Sequence, residues 1–141
     1  MAILKHISVK NRFYSSAVEY LTCQFDEYTN KPVLDEKGRI QERENYLIVG
    51  VNCDVDSFGA ECIEVNRLYG KNNSVKDVKA HHYIISFEPN DPITIEQALE
   101  FGKQWLSVFA PGHQAVVAVH PDGHNGSQNM HVHMVINSVR K

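Results

Sequence analysis

Residues 114–139 constrain the fold of this chain more than any other segment. Two apolar stretches, "QAVVAVH" (114–120) and "MHVHMVINSV" (130–139), flank a connection rich in glycine, asparagine, aspartate and proline. Both stretches are apolar on both faces, which favours central strands covered by other elements. The turn-forming residues between them favour a hairpin. We therefore expect two adjacent antiparallel strands near the middle of a sheet.

The rest of the chain alternates between strand and helix patterns. Strand patterns occur in "AILKHISVK", "NYLIVGV" and "AHHYIISF", and helix patterns in "SSAVEYLTCQF", "SFGAECIEVNRLYG" and the segment that follows Thr94. Capping boxes open the first helix at Ser16 and the third at Thr94, and Gly70 ends the second. The order β-α-β-α-β-α-β-β predicts an α+β fold, with a mainly antiparallel sheet of about five strands and helices on its faces.

Composition narrows the class of protein. The chain has 141 residues, of which 43% are apolar and 22% charged, as in an ordinary single globular domain. It has no run of about 18 apolar residues, and its first residues lack the apolar core of a secretory signal. We therefore expect a cytoplasmic protein with no membrane partner. Three cysteines without CxxC spacing are expected to be reduced thiols.

Charge gives a local signal for nucleic-acid binding. The formal net charge is −3, which does not favour polyanion binding overall. One segment, "RLYGKNNSVKDVK" (67–79), is nevertheless basic, and its cations are Arg67, Lys71, Lys76 and Lys79. These are the candidates for phosphate contacts, and the alternative is a solvated loop.

Histidines in the C-terminal hairpin predict a metal site. Residues two apart on a strand share a face, so His131 and His133 point the same way. The hairpin would bring His120 beside them, and three imidazoles leave positions open for water or substrate, as in catalytic metal sites. Asp122 can hold the other ring nitrogen of a ligand. A lone His-x-His pair is more often structural, but the third histidine and the aspartate favour the metal site.

The neighbouring histidines receive structural interpretations. His124 lies in the middle of the connection between glycines and is interpreted as exposed. His81 and His82 are interpreted as strand residues, one of them facing solvent. On the same strand, side-chain alternation places Ser86 on the face of His82.

A three-histidine ion admits two kinds of chemistry. It can activate water, as in a hydrolase, or it can polarise a phosphate for attack by a protein nucleophile. Tyr20 is a candidate nucleophile because it lies about 200° around its helix from Val18, a residue of the apolar stripe. The alternative is that Tyr20 packs against a neighbouring loop.

Four motifs occur together in a fixed order. They are "AVEYLT", "VGVNCD", "HHYIISFEPND" and "HPD…MHVHMVIN", and they extend over nearly the whole chain. This arrangement resembles the relaxase domain of plasmid and transposon mobilisation proteins, the P-type relaxases of the histidine-hydrophobic-histidine (HUH) endonuclease superfamily.

The resemblance implies roles for individual residues. Tyr20 matches the catalytic tyrosine, and His120, His131 and His133 match the metal ligands. Asp122 matches the acidic residue beside the first ligand, and Ser86 matches a serine associated with DNA contact.

The chain departs from the family in two respects. The gap between His120 and His131 is longer than expected, which leaves the loop geometry and the role of His124 open. Relatives continue beyond the last strand, so residues 1–141 are expected to be a single relaxase catalytic domain, truncated at its C-terminus.

The resemblance also implies an activity. A relaxase nicks single-stranded DNA at an origin of transfer by tyrosine transesterification, through a 5′-phosphotyrosine intermediate. This initiates conjugative transfer or mobilisation of a plasmid or integrative element in the bacterial cytoplasm. The implied cofactor is a divalent metal ion, Mg²⁺ or Mn²⁺, although imidazole ligands suit Zn²⁺ or Ni²⁺ equally well. The implied partners are accessory DNA-binding and coupling proteins.

Three other functions stay open at this stage. A metal-dependent nuclease that uses activated water would not need Tyr20. A replication initiator of the same superfamily would differ in what happens to the DNA after the nick. A non-catalytic DNA- or metal-binding module would bind the ion and cut nothing.

Overall fold

The computed structural model describes residues 3–9, 14, 47–72, 74, 76–88, 92–120 and 130–141. Within them the elements are β1 (Ile3–Val9), β2 (Leu47–Val51), α1 (Phe58–Tyr69), β3 (Ala80–Ser86), α2 (Ile95–Phe109), β4 (His113–His120) and β5 (His131–Arg140). The expected first helix (15–25) and the connection 121–129 lie outside the described residues. Tyr20, Asp122 and His124 lie outside them as well.

The described strands form one five-stranded sheet in the order β1-β3-β5-β4-β2. Every neighbouring pair is antiparallel. The expected adjacent strands are β4 and β5, and β5 is the middle strand of the sheet. The α+β class and the mainly antiparallel sheet are thus confirmed.

Helix α2 covers one face of the sheet. Its residues Ala98 and Leu106 are fully buried in a core with alternate residues of β4 and β5. Gly102 allows a close approach, since a Cβ atom there would lie 2.9 Å from the Cγ1 atoms of both Val117 and Val132. The predicted capping box is present: the Thr94 side chain accepts from the Gln97 backbone, and the Gln97 side chain accepts from the Thr94 backbone.

Helix α1 covers the opposite face. Phe58 and Cys62 pack there with Tyr14 and with the alternate set of β4 and β5 residues, Val116, Ala118 and Val135. The helix ends at Gly70, whose φ of 62° lies in the left-handed region. The N–H groups of Gly70 and Lys71 bond to carbonyls of the last turn, which confirms the predicted stop.

Two of the three cysteines lie among the described residues. Cys53 and Cys62 are free thiols, in agreement with the expected reduced state, and burial raises the pKa of both. In the described part of the chain, no helix has both the length and the apolar character needed to cross a membrane.

Candidate active site

The histidines of the hairpin lie on the α1 face, at the end where β4 stops and β5 starts. His120 and His131 are directly paired across the β4–β5 ladder. Ser86 is paired with His131 on the other side, across β3 and β5. One row of the sheet therefore runs Ser86, His131, His120. Ser86 lies on the same face as His82, as alternation along β3 predicts.

His133 occupies the next row of the same face. Its ring centre lies 4.5 Å from that of His120 and 6.1 Å from that of His131. Its direct partner on β4 is Ala118, whose small side chain leaves room for the ring of His120. His120 and His133 are 2% and 1% exposed, whereas His131 is half-buried with a buried Nδ1 atom.

The spacing of the three rings matches the requirements of a bound ion in part. An imidazole nitrogen lies about 2.1 Å from a bound ion, so two rings on one ion have centres about 5 Å apart. The His120–His133 separation fits this value, and the His131–His133 separation is about 1 Å longer. Among the described residues, no three His, Cys, Asp or Glu side chains already have the arrangement of a metal site. Three converging imidazoles suit a divalent ion chemically, and the ligand assignment stays a prediction.

His82 is the residue of this site that the sequence analysis did not assign. Its Nε2 atom lies 3.0 Å from Nδ1 of His133, in a buried hydrogen bond. Burial and the positive charge of Lys5 lower the pKa of His82 to about 4, so the ring is neutral at neutral pH. His82, His120, His131 and His133 together are called the histidine cluster. His81, the preceding residue, is only partly exposed and bonds to His6 instead.

Lys5 is a second residue that the sequence analysis left without a role. It lies exposed on the edge strand β1, and its direct partner on β3 is Ile84. Because directly paired residues share a face, Lys5 lies on the face of Ser86 and the histidine cluster. The signal in the sequence was the positive charge of Lys5, Lys10 and Arg12 near the N-terminus. The neighbours of Lys5 depended on a strand pairing that alternation does not reveal.

The basic segment lies at the other end of the sheet. Arg67, Lys71 and Lys76 are exposed. Asn72, in the same segment, donates to the Ser138 hydroxyl over 3.0 Å. Ser138 is seven residues along β5 from His131, a separation of about 24 Å at the rise of a strand. The structure therefore does not bring the basic segment together with the histidines.

Lys79 differs from the other three cations. Its side chain is only 4% exposed, and its Nζ atom donates to the carbonyl oxygens of Ser74 (2.8 Å) and Asp77 (2.9 Å). These bonds hold the ammonium group against the loop before β3. The role that this geometry supports is loop structure, so we keep Arg67, Lys71 and Lys76 as the candidates for phosphate contact.

A second polar cluster lies near Ser138, on the α1 face of the sheet that also carries the histidine cluster. We call it the amide cluster, and its members are Tyr14, Asn66, Gln114 and Asn137. The Asn137 amide donates to Asn66 Oδ1 and Gln114 Oε1, both over 3.2 Å, and Asn66 Nδ2 donates to the Tyr14 hydroxyl over 2.7 Å. The Tyr14 hydroxyl lies 3.0 Å from the Lys79 carbonyl, to which it donates. Burial raises the pKa of Tyr14.

Comparisons with known proteins identify the family of this chain. The family model described as "Relaxase: MobA/VirD2-like, nuclease domain" matches residues 28–141. The chain is 38% identical to Protein rlx of Staphylococcus aureus over 90 residues, which are 64% of this chain and 26% of that protein. It is 39% identical over 82 residues to the group II intron-interrupted relaxase LtrB of Lactococcus lactis subsp. cremoris, covering 57% of this chain and 12% of that protein.

A third relative extends over more of the chain. Protein TraI of Escherichia coli is 28% identical over 142 residues, covering 97% of this chain and 17% of that protein. The chain spans about a quarter of the length of the rlx proteins and less of the other two. No solved structure matches the chain significantly. Because the family model covers far more than half of the sequence, the resemblance is confirmed, and the chain belongs to the relaxase family as a MobA/VirD2-like nuclease domain.

Proposed function

We propose that this domain nicks single-stranded DNA at an origin of transfer by tyrosine transesterification, and so initiates conjugative transfer or mobilisation of a plasmid or integrative element. The observation that carries the proposal is the paired row of His120 and His131, with His133 beside it, in a domain of the relaxase family. The proposed location is the bacterial cytoplasm, where accessory DNA-binding and coupling proteins would be its partners.

His120, His131 and His133 would hold a divalent ion, Mg²⁺ or Mn²⁺. When bound, such an ion supplies Lewis acidity and positive charge at the scissile phosphate. Asp122 would accept a hydrogen bond from the ring of His120 or His131 and orient it. Imidazole ligands are also suited to Zn²⁺ and Ni²⁺.

Tyr20 would be the nucleophile. Its phenolic oxygen forms a bond to the scissile phosphorus, and the bond from phosphorus to the 3′ oxygen of the preceding nucleotide breaks. The phenol has a pKa near 10 and gives its proton to water or a basic group, while the 3′ oxygen takes up a proton as it leaves. The products are a 3′-hydroxyl and a 5′-phosphotyrosine. One phosphate ester replaces another, so the strand can later be rejoined.

Two sets of residues would hold the DNA strand. Lys5 and Ser86 flank the histidine cluster on its own sheet face, and they would contact phosphates close to the scissile bond. Arg67, Lys71 and Lys76 would contact phosphates farther along the strand. Contacts of this kind make single-strand binding dependent on salt concentration.

The test is formation of a covalent adduct. The protein is incubated with Mn²⁺ and single-stranded oligonucleotides tiled across candidate transfer origins, and the products are separated on a denaturing gel. We expect a shifted, protease-sensitive band that disappears in Tyr20→Phe and in His131→Ala. Tyr69→Phe is the matched control, because Tyr69 is 58% exposed on α1, and it should leave the adduct unchanged.

Other outcomes would support the other classes. Free cleaved DNA that persists in Tyr20→Phe would indicate a nuclease that uses activated water. Ion binding without any product would indicate a non-catalytic module. An adduct formed at a replication origin and followed by strand extension would indicate a replication initiator.

A further inference from the structure

We propose that His82 is a positioning residue for the metal site: its Nε2 atom accepts a hydrogen bond from Nδ1–H of His133 and thereby presents Nε2 of His133 to the ion. The inference rests on the proposed function, because it requires His133 to be a ligand. It adds a fourth histidine, which would contact neither the ion nor the DNA.

The sheet register brings the two rings together. His133 on β5 is paired with Ile84 on β3, and His82 is paired with Val135. His82 and His133 are therefore diagonal neighbours on one face, a separation that long side chains can bridge. The rings do bridge it: Nε2 of His82 lies 3.0 Å from Nδ1 of His133, and the ring centres are 5.2 Å apart.

Proton counting then fixes the direction of this bond in the ion-bound protein. A neutral imidazole has one N–H and one bare nitrogen, and an ion binds only a bare nitrogen. If His82 donated, Nδ1 of His133 would be the acceptor, and Nε2 of His133 would carry the proton. Ligation by His133 therefore requires that Nδ1 of His133 donates and that Nε2 of His82 accepts.

The acceptor of the His133 N–H also affects the charge beside this ligand. Ligating histidines commonly give their second N–H to a carboxylate, a carbonyl or water. A carboxylate would place a negative charge beside the ligand and offset part of the positive charge of the ion. A buried imidazole that is only 8% exposed orients the ligand without adding that charge. The positive charge then stays available for an anionic phosphate.

His81 provides a matched control on the same strand. It is the preceding residue and carries the same side chain, but alternation turns it to the opposite sheet face. There its Nδ1 atom lies 2.9 Å from Nε2 of His6. A substitution at position 81 therefore tests the general cost of losing a histidine from β3 without touching His133.

The first experiment measures Mn²⁺ affinity by calorimetry for the wild type, His82→Leu, His82→Gln and His81→Leu. Loss of the acceptor in His82→Leu should weaken binding by about 10- to 100-fold. His82→Gln should recover most of the affinity, because its amide oxygen can accept the same hydrogen bond. His81→Leu should bind like the wild type. Wild-type affinity in His82→Leu, or an equal loss in the Leu and Gln variants, would overturn the positioning role.

The second experiment needs no substitution and so does not depend on folding of a variant. Long-range ¹H–¹⁵N correlation spectra of the wild type with saturating Mg²⁺ report which ring nitrogens carry protons. We expect a proton on Nδ1 of His133 and none on Nε2 of His82, and the reverse assignment would overturn the inference. A wild type that binds no divalent ion would instead refute the proposed metal site itself, which separates the two failures.

Discussion

The histidine cluster and the amide cluster lie on the same face of the sheet, at opposite ends of β5, and they use hydrogen bonds differently. In the amide cluster, Asn137 Nδ2 donates to two side-chain oxygens and Asn66 donates to Tyr14. Amides carry both donors and acceptors and can satisfy one another. An imidazole that donates from one nitrogen keeps a bare nitrogen on its other side. The first chemistry suits a closed structural network, and the second leaves lone pairs for a cation.

The largest effect is expected from His131→Ala, which tests whether the histidine cluster serves function rather than folding. Loss of one proposed ligand should lower the rate of adduct formation by about 1,000-fold, since electrostatic stabilisation of the reacting phosphate is lost. The free energy of unfolding, measured by urea denaturation, should change by less than about 1 kcal/mol because His131 is half-buried. Adduct formation at the wild-type rate would contradict this assignment.

Asn137→Leu should have the opposite effect to His131→Ala, because it should lower the stability of the fold and leave activity unchanged. The substitution keeps the branched shape of the side chain, replaces its amide with two larger methyl groups, and leaves buried oxygens of Asn66 and Gln114 without the Asn137 donors, at a cost of about 3 kcal/mol in unfolding free energy. The adduct rate per folded molecule should stay unchanged. Ser138→Ala, at the adjacent and less buried position, is the control and should cost less. A loss of activity in fully folded Asn137→Leu would contradict this prediction and would show that the amide cluster also contributes to DNA nicking.

Tyr14→Phe tests the amide cluster through pH. At pH 8 the wild type should be more stable than Tyr14→Phe by about 1–3 kcal/mol, because the variant loses the hydroxyl that bonds to Asn66 and Lys79. Burial raises the pKa of Tyr14 in the folded state, so above pH 10 the unfolded chain loses this proton first. The stability advantage of the wild type should therefore shrink as the pH rises through 10. A difference in unfolding free energy between the two proteins that stays constant from pH 8 to pH 11 would contradict this prediction.

The smallest effect concerns which end of the sheet contacts the DNA: the end with the histidine cluster, the end with the basic segment, or both. Lys5→Gln and Arg67→Gln should each reduce the slope of log affinity against log salt concentration by about 0.7, the value for one phosphate contact on a single strand. Lys79→Met should leave the slope unchanged, because its ammonium group bonds to backbone carbonyls. If only Lys5→Gln changes the slope, the DNA contacts the histidine end alone and Arg67 is removed from the interface.

Local patterns predicted a large part of the fold. The apolar character of both faces of "QAVVAVH" and "MHVHMVINSV" predicted the two central strands. Alternation predicted the shared face of His131 and His133, because side-chain direction on a strand depends only on the residue count. The capping box at Thr94 and the stop at Gly70 are local as well, and both are present.

Contacts between distant strands were not predictable in the same way. Nothing within "AHHYIISF" indicates that β3 lies beside β5, so the bond between His82 and His133 was not foreseen. Lys79 shows the same limit, since its charge suggests exposure while its ammonium group bonds to backbone carbonyls of the loop before β3. Tyr20, Asp122 and the phosphate-contacting cations stay predictions.

Because His120 and His131 are paired across two strands, the distance between them does not depend on the number of residues that connect them. The two residues face each other across adjacent strands, so an interstrand distance of about 5 Å keeps them together whatever the number of residues between them. A long gap in sequence between His120 and His131 therefore need not displace either ring. The spacing of the two imidazoles is set by the strand pairing, and the number of residues in 121–129 can change without altering it.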